Sequence, residues 1–307
     1  MEFRNTVQTL QTRLSNKVRA RFPDFHAKLP AYGQLIRIDR PVGIYLLLWP
    51  TLIALWIASG GFPSFGLFLI FTLGTVVMRS AGCCVNDFAD SEIDGRVDRT
   101  QQRPLAMGTL TKRDAINCFV FLSFVGFLLV LMTNLNTILL SFGAIVIIAT
   151  YPFMKRFTNL PQVVLGIAFS WGILMAFTAV GGPIPQAAYL LFIANAIWTV
   201  AYDTEYAMVD REFDLKIGVK STAILFADAD KMIIGCLQTM FIASIYLAGR
   251  QLELGWLFNI SLVIASGLLV YQQLLIRDRL PGPCFKAFLN NNWVGAVIFL
   301  GVFLSYL

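Results

Sequence analysis

The chain of 307 residues is 57% hydrophobic and 14% charged, where a soluble domain carries about 25% charged residues. That composition excludes an ordinary soluble globule and points to a membrane protein. Its 24 Lys and Arg exceed 18 Asp and Glu, giving a formal charge of +6, and the placement of these charges is more informative than their sum.

Residues 1–40 hold 8 Lys or Arg and no apolar h-region, so no cleavable signal peptide is expected and the first span should direct insertion itself. Arg13, Lys17 and Arg21 alternate with Leu14, Val18, Phe22 and Phe25. This pattern suits either an interfacial helix on anionic lipid or a solvated leader. The transmembrane domain is expected over 41–307.

Three long stretches without charge, 41–78, 115–154 and 157–202, exceed the roughly 20 residues of one span. Each contains a breaker, GGFPS from Gly60, TNLN from Thr133 and GGPIPQ from Gly181, and so reads as a helical hairpin. Residues 232–249, 254–276 and 287–307 each fit one span. The expected fold is therefore all-α, a polytopic bundle of about nine transmembrane helices. Of the 24 basic residues, 22 fall in the leader or after the second, fourth, sixth and eighth spans, which places these segments in the cytoplasm.

Chemistry is restricted by what is scarce. The five cysteines form no CxxC, and His26, the single histidine, lies in the leader, so zinc, haem, iron–sulfur and His-assisted nucleophilic sites are not expected. Acids, by contrast, are concentrated. Asp87, Asp90, Glu92, Asp94 and Asp98 follow the second span, and Asp203, Glu205, Asp210, Glu212 and Asp214 follow the sixth, 10 of the 18 acids in two short windows. Both windows contain D-x-E-x-D, four spans apart, as an internal duplication would produce.

On a continuous helix Asn86, Asp90 and Asp94 share one face, as do Asp203, Tyr206, Asp210 and Asp214. Like charges so spaced destabilise a helix by a few tenths of a kcal/mol per pair, which calls for a compensating cation. Hard oxygen donors without soft ligands favour Mg²⁺, whose shell water and substrate phosphate complete. The competing reading is a solvated loop whose acids pair with Arg96, Arg99, Lys216 and Lys220. Interleaved bases, Arg99, Arg103, Lys112, Arg113, Lys155, Arg156, Arg211, Lys216 and Lys220, suit a diphosphate. Lys155 and Arg156 are equally explained as cytoplasmic anchors. Arg79, seven residues before Asn86 and roughly 10 Å deeper at 1.5 Å per residue, either snorkels or binds a substrate carboxylate.

Asn86-Asp87-x-x-Asp90-x-x-x-Asp94 and Asp203-x-x-Tyr206-Ala207-x-x-Asp210-x-x-x-Asp214 resemble the two aspartate-rich motifs of the UbiA-type intramembrane prenyltransferases. Within that family, similarity is greatest to members that prenylate 4-hydroxybenzoate. It is carried by Leu48-Trp49-Pro50-Thr51, Arg79-x-Ala81-Gly82-Cys83, Arg99-Thr100-x-x-Arg103-Pro104-Leu105, Tyr151-Pro152-Phe153-Met154-Lys155-Arg156, Gly218-Val219-Lys220-Ser221-Thr222 and Cys284-Phe285-Lys286-Ala287-Phe288. The similarity runs from about residue 33 to the C-terminus and leaves out the leader.

The resemblance implies nine helices around a central cavity under a cytoplasmic cap, in a bacterial inner membrane. It also implies Mg²⁺-dependent transfer of a polyprenyl group from its diphosphate to the carbon ortho to the hydroxyl of 4-hydroxybenzoate, a step of ubiquinone biosynthesis. By this likeness Asn86, Asp90 and Asp94 hold one Mg²⁺ and Asp210 and Asp214 another, while Lys155 and Arg156 contact diphosphate, helped by Arg99, Lys216 and Lys220. Asp203 orients or deprotonates the phenol, Arg79 with Arg40 takes the benzoate carboxylate, and faces such as Tyr151, Trp171, Tyr202 and Tyr206 stabilise an allylic cation. Neither nucleic acid nor an obligate protein partner is called for. Two alternatives stay open: another acceptor class within the family (haem, chlorophyll or menaquinone type), and a cation-coupled transporter built on a repeat.

Overall fold

The computed structural model describes residues 23–96 and 100–307, and among these the regular structure is helical. A helix at the start, α1 (Pro23–Leu35), precedes α2 (Val42–Ala58), α3 (Phe65–Asp90), α4 (Lys112–Val130), α5 (Leu135–Thr150) and α6 (Pro161–Val180). Then come α7 (Gln186–Ile217), the short α8 (Thr222–Phe226), α9 (Asp230–Gln251), α10 (Trp256–Leu275) and α11 (Pro281–Ser305). Seven spans, the last turns of Leu135–Arg156 and the α8–α9 run included, are long and apolar enough to cross a membrane, and α2 is a shorter apolar helix. With α7, whose second half carries the acids, the described residues hold nine helices of 16 residues or more, and the protein is an integral membrane protein.

The three anticipated hairpins are present, each turned where the breakers stand. Gly60 and Gly61 (φ 64° and 130°) follow α2, and Gly181 and Gly182 (φ 103° and 94°) follow α6, backbone conformations that side chains with a Cβ resist. Local caps start the next helices. Ser64 Oγ accepts from Leu67 N at 3.3 Å, Asn134 Oδ1 accepts from Thr137 N at 3.1 Å, and Thr111 with Asp114 forms a capping box at α4.

Helix α7 packs between α6 and α9, while α11 packs on α10, α2 and α7, so the two halves of the chain close on each other. Aromatic side chains fill the seam of α2 and α11, where the Trp56 ring meets Phe299 edge-on at 5.2 Å. A buried polar clasp ties α7 to α9, α10 and α11. Trp198 Nε1 donates to Asn291 Oδ1 (2.7 Å), Asn291 Nδ2 to Glu205 Oε2 (3.0 Å), and Gln238 Nε2 to Glu205 Oε1 (3.2 Å) and Gln272 Oε1 (3.0 Å). Polar groups inside a bilayer must find such partners, because lipid offers none. Outward faces carry exposed Val120, Phe121, Phe124, Phe142, Val146, Val263 and Val270, as lipid contact requires.

Residues 1–22 of the expected leader lie outside the described residues, and with them the run from Arg13 to Phe22. Helix α1 docks on the bundle: Leu35 is fully buried with Cys84, Leu110 and Ala115, and Lys28 Nζ reaches Asp114 Oδ2 at 3.1 Å.

Candidate active site

The first acid window stands at the end of α3, and there the structure departs from the expected helical stripe. The helix stops at Asp90, a turn follows, and Asp94 opens a 3₁₀ turn, Asp94–Arg96. Thr100 Oγ1 holds the Asp94 carbonyl oxygen at 2.9 Å, so the chain folds back instead of continuing the helix. Asp94 still joins the cluster, through Arg103. In the second window the helix does continue, from Asp203 through Asp214, and ends at Gly218 in a left-handed conformation (φ 73°).

Asp87, Asp90 and Asp94 are all buried, and bases surround them. Arg37 grips Asp87 with two nitrogens, Nη2 to Oδ1 at 2.6 Å and Nη1 to Oδ2 at 3.2 Å. Lys155 Nζ forms an ion pair with Asp90 Oδ1, and Asn86 Nδ2 donates to Asp90 Oδ2 at 3.3 Å. Arg103 Nη1 lies 2.8 Å from Asp94 Oδ2 and 3.2 Å from Asp87 Oδ1. Burial pushes the Asp94 carboxyl above the usual carboxylate range, against the opposing charge of Arg103. For Arg103, burial disfavours the charge, but the attraction of Asp87 and Asp94 outweighs it and raises its pKa.

The turn after α5, Tyr151–Arg156, lies between the end of α3 and the segment that follows α7. Arg156 Nη2 donates to the Ala89 carbonyl at 2.6 Å, at the end of α3 where the helix dipole favours a cation. Tyr151 Oη lies 3.4 Å from Asn86 Oδ1 and within electrostatic reach of Arg79, Asp203 and Asp90. Lys220, just past α7, donates its backbone N to Lys155 O (3.2 Å) and its Nζ to Phe157 O (3.3 Å).

Deeper along α3, the Arg79 guanidinium packs against Gly43, donates Nη1 to Cys83 Sγ at 2.7 Å and lies 5.9 Å from the Phe169 ring centre. Its Nε is buried with no hydrogen-bond partner among the described residues, an orphaned donor that a ligand oxygen would satisfy. Asp203 interacts with Arg79 and with the Gln162 side chain. Tyr206 is half-buried with its ring 4.7 Å from that of Phe288. Below this level an apolar cavity of about 410 Å³ opens among α2 to α6, lined by Thr51, Thr75, Met78, Phe127, Ala144 and Trp171 among others.

Not every expected residue converges. Arg40 is exposed and pairs with its neighbour, its Nε 3.4 Å from Asp39 Oδ2. Arg99 lies outside the described residues. Lys112 is held by Glu92 at 2.8 Å, which draws that carboxyl below its usual range, and Arg211 is held by Asp230 at 3.0 Å. Lys216 is exposed in the last turn of α7, and Asp210 and Asp214 are half-buried there. Two contributors were missed. Arg37 sits in the segment assigned to the leader, and Gln162 at the start of α6 carries no charge to draw notice; the Arg-x-Asp-Arg-Pro run, Arg37 to Pro41, was the available signal for the first.

The donor set fits a divalent cation: hard carboxylate oxygens from three residues face one region. As arranged, no three His, Cys, Asp or Glu among the described residues form a closed metal site. Bases stand between the carboxylates.

Residues 47–301 match the UbiA prenyltransferase family. The chain is 56% identical over 281 residues to a 4-hydroxybenzoate octaprenyltransferase of Saccharophagus degradans, covering 92% of this chain and 94% of that protein. It is 58% identical over 278 residues to the enzyme of that name from Pseudoalteromonas translucida, covering 91% and 95%. The fold is similar to that of a UbiA homologue from Aeropyrum pernix K1, with a TM-score of 0.77 at 24% identity over 88% of this chain and 99% of that one. A UbiA homologue from Archaeoglobus fulgidus bound to GPP and Mg²⁺ aligns with a TM-score of 0.65 at 17% identity over 90% and 99%. Matched by the family across most of its length and more than half identical to those two octaprenyltransferases, this chain belongs to the UbiA prenyltransferase family.

Proposed function

We propose that the chain transfers a polyprenyl group from polyprenyl diphosphate to the ring carbon ortho to the hydroxyl of 4-hydroxybenzoate, within ubiquinone biosynthesis. The observation that carries this reading is the layout along α3. A cluster of acids and bases stands at one end, an unpaired Arg79 nitrogen stands below it, and an apolar cavity of about 410 Å³ lies deeper still. Such a sequence suits a molecule with a diphosphate head, a reacting carbon near an aromatic acid, and a long apolar tail. Relatives more than half identical and named 4-hydroxybenzoate octaprenyltransferase support the acceptor, and the Archaeoglobus homologue bound to GPP and Mg²⁺ supports a metal at the carboxylates.

In this reading Asn86, Asp90 and Asp94 hold one Mg²⁺, and Asp210 and Asp214 a second. Bound metal neutralises the diphosphate and makes it a better leaving group. Lys155 and Arg156 bind diphosphate oxygens, and Lys216, Lys220 and Arg99 add positive charge at the rim. The C–O bond to the prenyl carbon breaks with its electron pair leaving on diphosphate. Apolar walls keep water from the allylic cation, and the tyrosine faces stabilise it. The ortho carbon then forms the new C–C bond, its C–H proton passes to the released diphosphate, and the ring oxygen recovers the proton held by Asp203. Asp203 orients the phenol and accepts the hydroxyl proton, while Arg79 binds the carboxylate that fixes which ring edge faces the donor.

The excess of Lys and Arg in the leader and in the even-numbered connections supports a cytoplasmic N-terminus and cytoplasmic acid windows, in a bacterial inner membrane. The test is prenyl transfer from geranyl diphosphate to labelled 4-hydroxybenzoate in membranes carrying this chain. Product that forms with Mg²⁺ and vanishes with chelator is expected; no product with the acid present and Mg²⁺ in excess overturns the assignment.

A further inference from the structure

Three carboxylates share one nitrogen. Arg103 Nη1 is 2.8 Å from Asp94 Oδ2, 3.2 Å from Asp87 Oδ1 and 4.0 Å from Asp90 Oδ2, and so fills the point on which they converge. Arg37 takes the other side of Asp87, and Lys155 pairs with the second oxygen of Asp90. Acid for base, the cluster is balanced by the chain's own side chains.

Resting on the reading of this site as the diphosphate centre, we propose that Arg103 is an exchangeable cation. It neutralises the carboxylates until metal and diphosphate arrive together, then moves from the carboxylates to a diphosphate oxygen. The physical argument is one of charge. A divalent ion entering alone meets a buried cluster already neutral, and must either push out Arg103 with no anion to receive it or sit beside it in a poorly screened site. A diphosphate changes both terms at once: it brings negative charge for the displaced guanidinium, whose planar fork matches two phosphate oxygens. Metal alone should therefore bind weakly, and diphosphate should tighten it.

The geometry allows the move without refolding. Arg103 stands on the connection between α3 and α4, not within a span, and its backbone is held independently of its side chain. Its amide donates to Thr100 O at 2.9 Å and its carbonyl accepts from Met107 N at 2.9 Å. Only the side chain, 16% exposed, has to swing. Asp87 keeps Arg37 throughout, which separates its role from that of Asp90 and Asp94.

The experiment titrates purified wild-type protein and Arg103→Gln with Mn²⁺, reading free Mn²⁺ by electron paramagnetic resonance, with and without an unreactive geranyl thiodiphosphate. In the wild type the analogue should tighten Mn²⁺ by about tenfold or more, within the range of ordinary coupling between sites. In Arg103→Gln, Mn²⁺ alone should bind about tenfold tighter than in the wild type, with the enhancement by the analogue largely gone. Arg103→Lys, which keeps a charge, should restore weak binding of Mn²⁺ alone. If the analogue tightens nothing in the wild type, or Arg103→Gln binds Mn²⁺ alone no better than the wild type, the exchange is refuted while the diphosphate site stands. If the wild type binds no Mn²⁺ even with the analogue, the site reading falls with it.

Discussion

Arg37 and Asp87 meet through two hydrogen bonds, 2.6 Å and 3.2 Å, across fifty residues of sequence, and the carboxylate between them is fully buried. This pair fastens the segment before α2 to the acid end of α3. Arg37 itself adopts a left-handed backbone (φ 59°), a conformation costing a residue with a Cβ about 1–2 kcal/mol, so the packing of α1 and this ion pair must hold it there.

Replacing Arg37 by Ala leaves Asp87 with Arg103 alone. Removing one partner of a buried pair costs about 3–5 kcal/mol, and the remaining guanidinium should bring the loss toward the low end. Thermal unfolding in detergent should show a clearly lowered midpoint for Arg37→Ala, with most of it restored in Arg37→Lys. An unchanged midpoint in Arg37→Ala would remove the pair from the account of the fold.

Arg79 should govern the acceptor and not the donor. Arg79→Ala is expected to raise the KM for 4-hydroxybenzoate by about tenfold or more, as loss of a charge-assisted hydrogen bond predicts, with little change in the KM for diphosphate. Gly43→Ala should act in the same direction, because a Cβ there would stand 2.5 Å from Arg79 Nη2 and displace it. Equal effects on both substrates would place Arg79 outside the acceptor pocket.

If the cavity among α2 to α6 houses the prenyl tail, filling it should discriminate by chain length. Ala144 lines the cavity, and Ala144→Phe should cut kcat/KM for a long polyprenyl diphosphate by about tenfold or more while sparing dimethylallyl diphosphate. A uniform loss across donors would argue that the tail lies elsewhere.

Topology offers a separate check. A reporter joined after Gly181, in the turn between α6 and α7, should read as periplasmic, and one after Lys155 as cytoplasmic. The reverse pattern would invert the molecule and put both acid windows on the wrong side.

The helices were legible because bilayer thickness sets their length and because Gly60, Thr133 and Gly181 mark the hairpin turns in the sequence itself. The crowding of acids at two span ends was legible too, and the structure buries Asp87, Asp90 and Asp94 at the first of them. What sequence did not reveal is who pairs with whom. Asp94 was placed on a helical face by its spacing, but Thr100 and Arg103 fold the chain back around it. Arg211 looked like a base for phosphate and is bound to Asp230 beside Arg279. Arg37 was assigned to a leader, yet it reaches a carboxylate fifty positions away. Each of these choices depends on tertiary packing, which local periodicity does not encode.

The most direct measurement compares membranes holding equal amounts of folded wild-type protein and Asp90→Asn, supplied with geranyl diphosphate, labelled 4-hydroxybenzoate and Mg²⁺. Asp90→Asn keeps the size of the side chain but removes the charge that Lys155 and Arg103 face. The account predicts loss of product formation by about 100-fold or more, the scale seen when one electrostatic contributor to a transition state is removed. Product formation within about twofold of the wild type would contradict it.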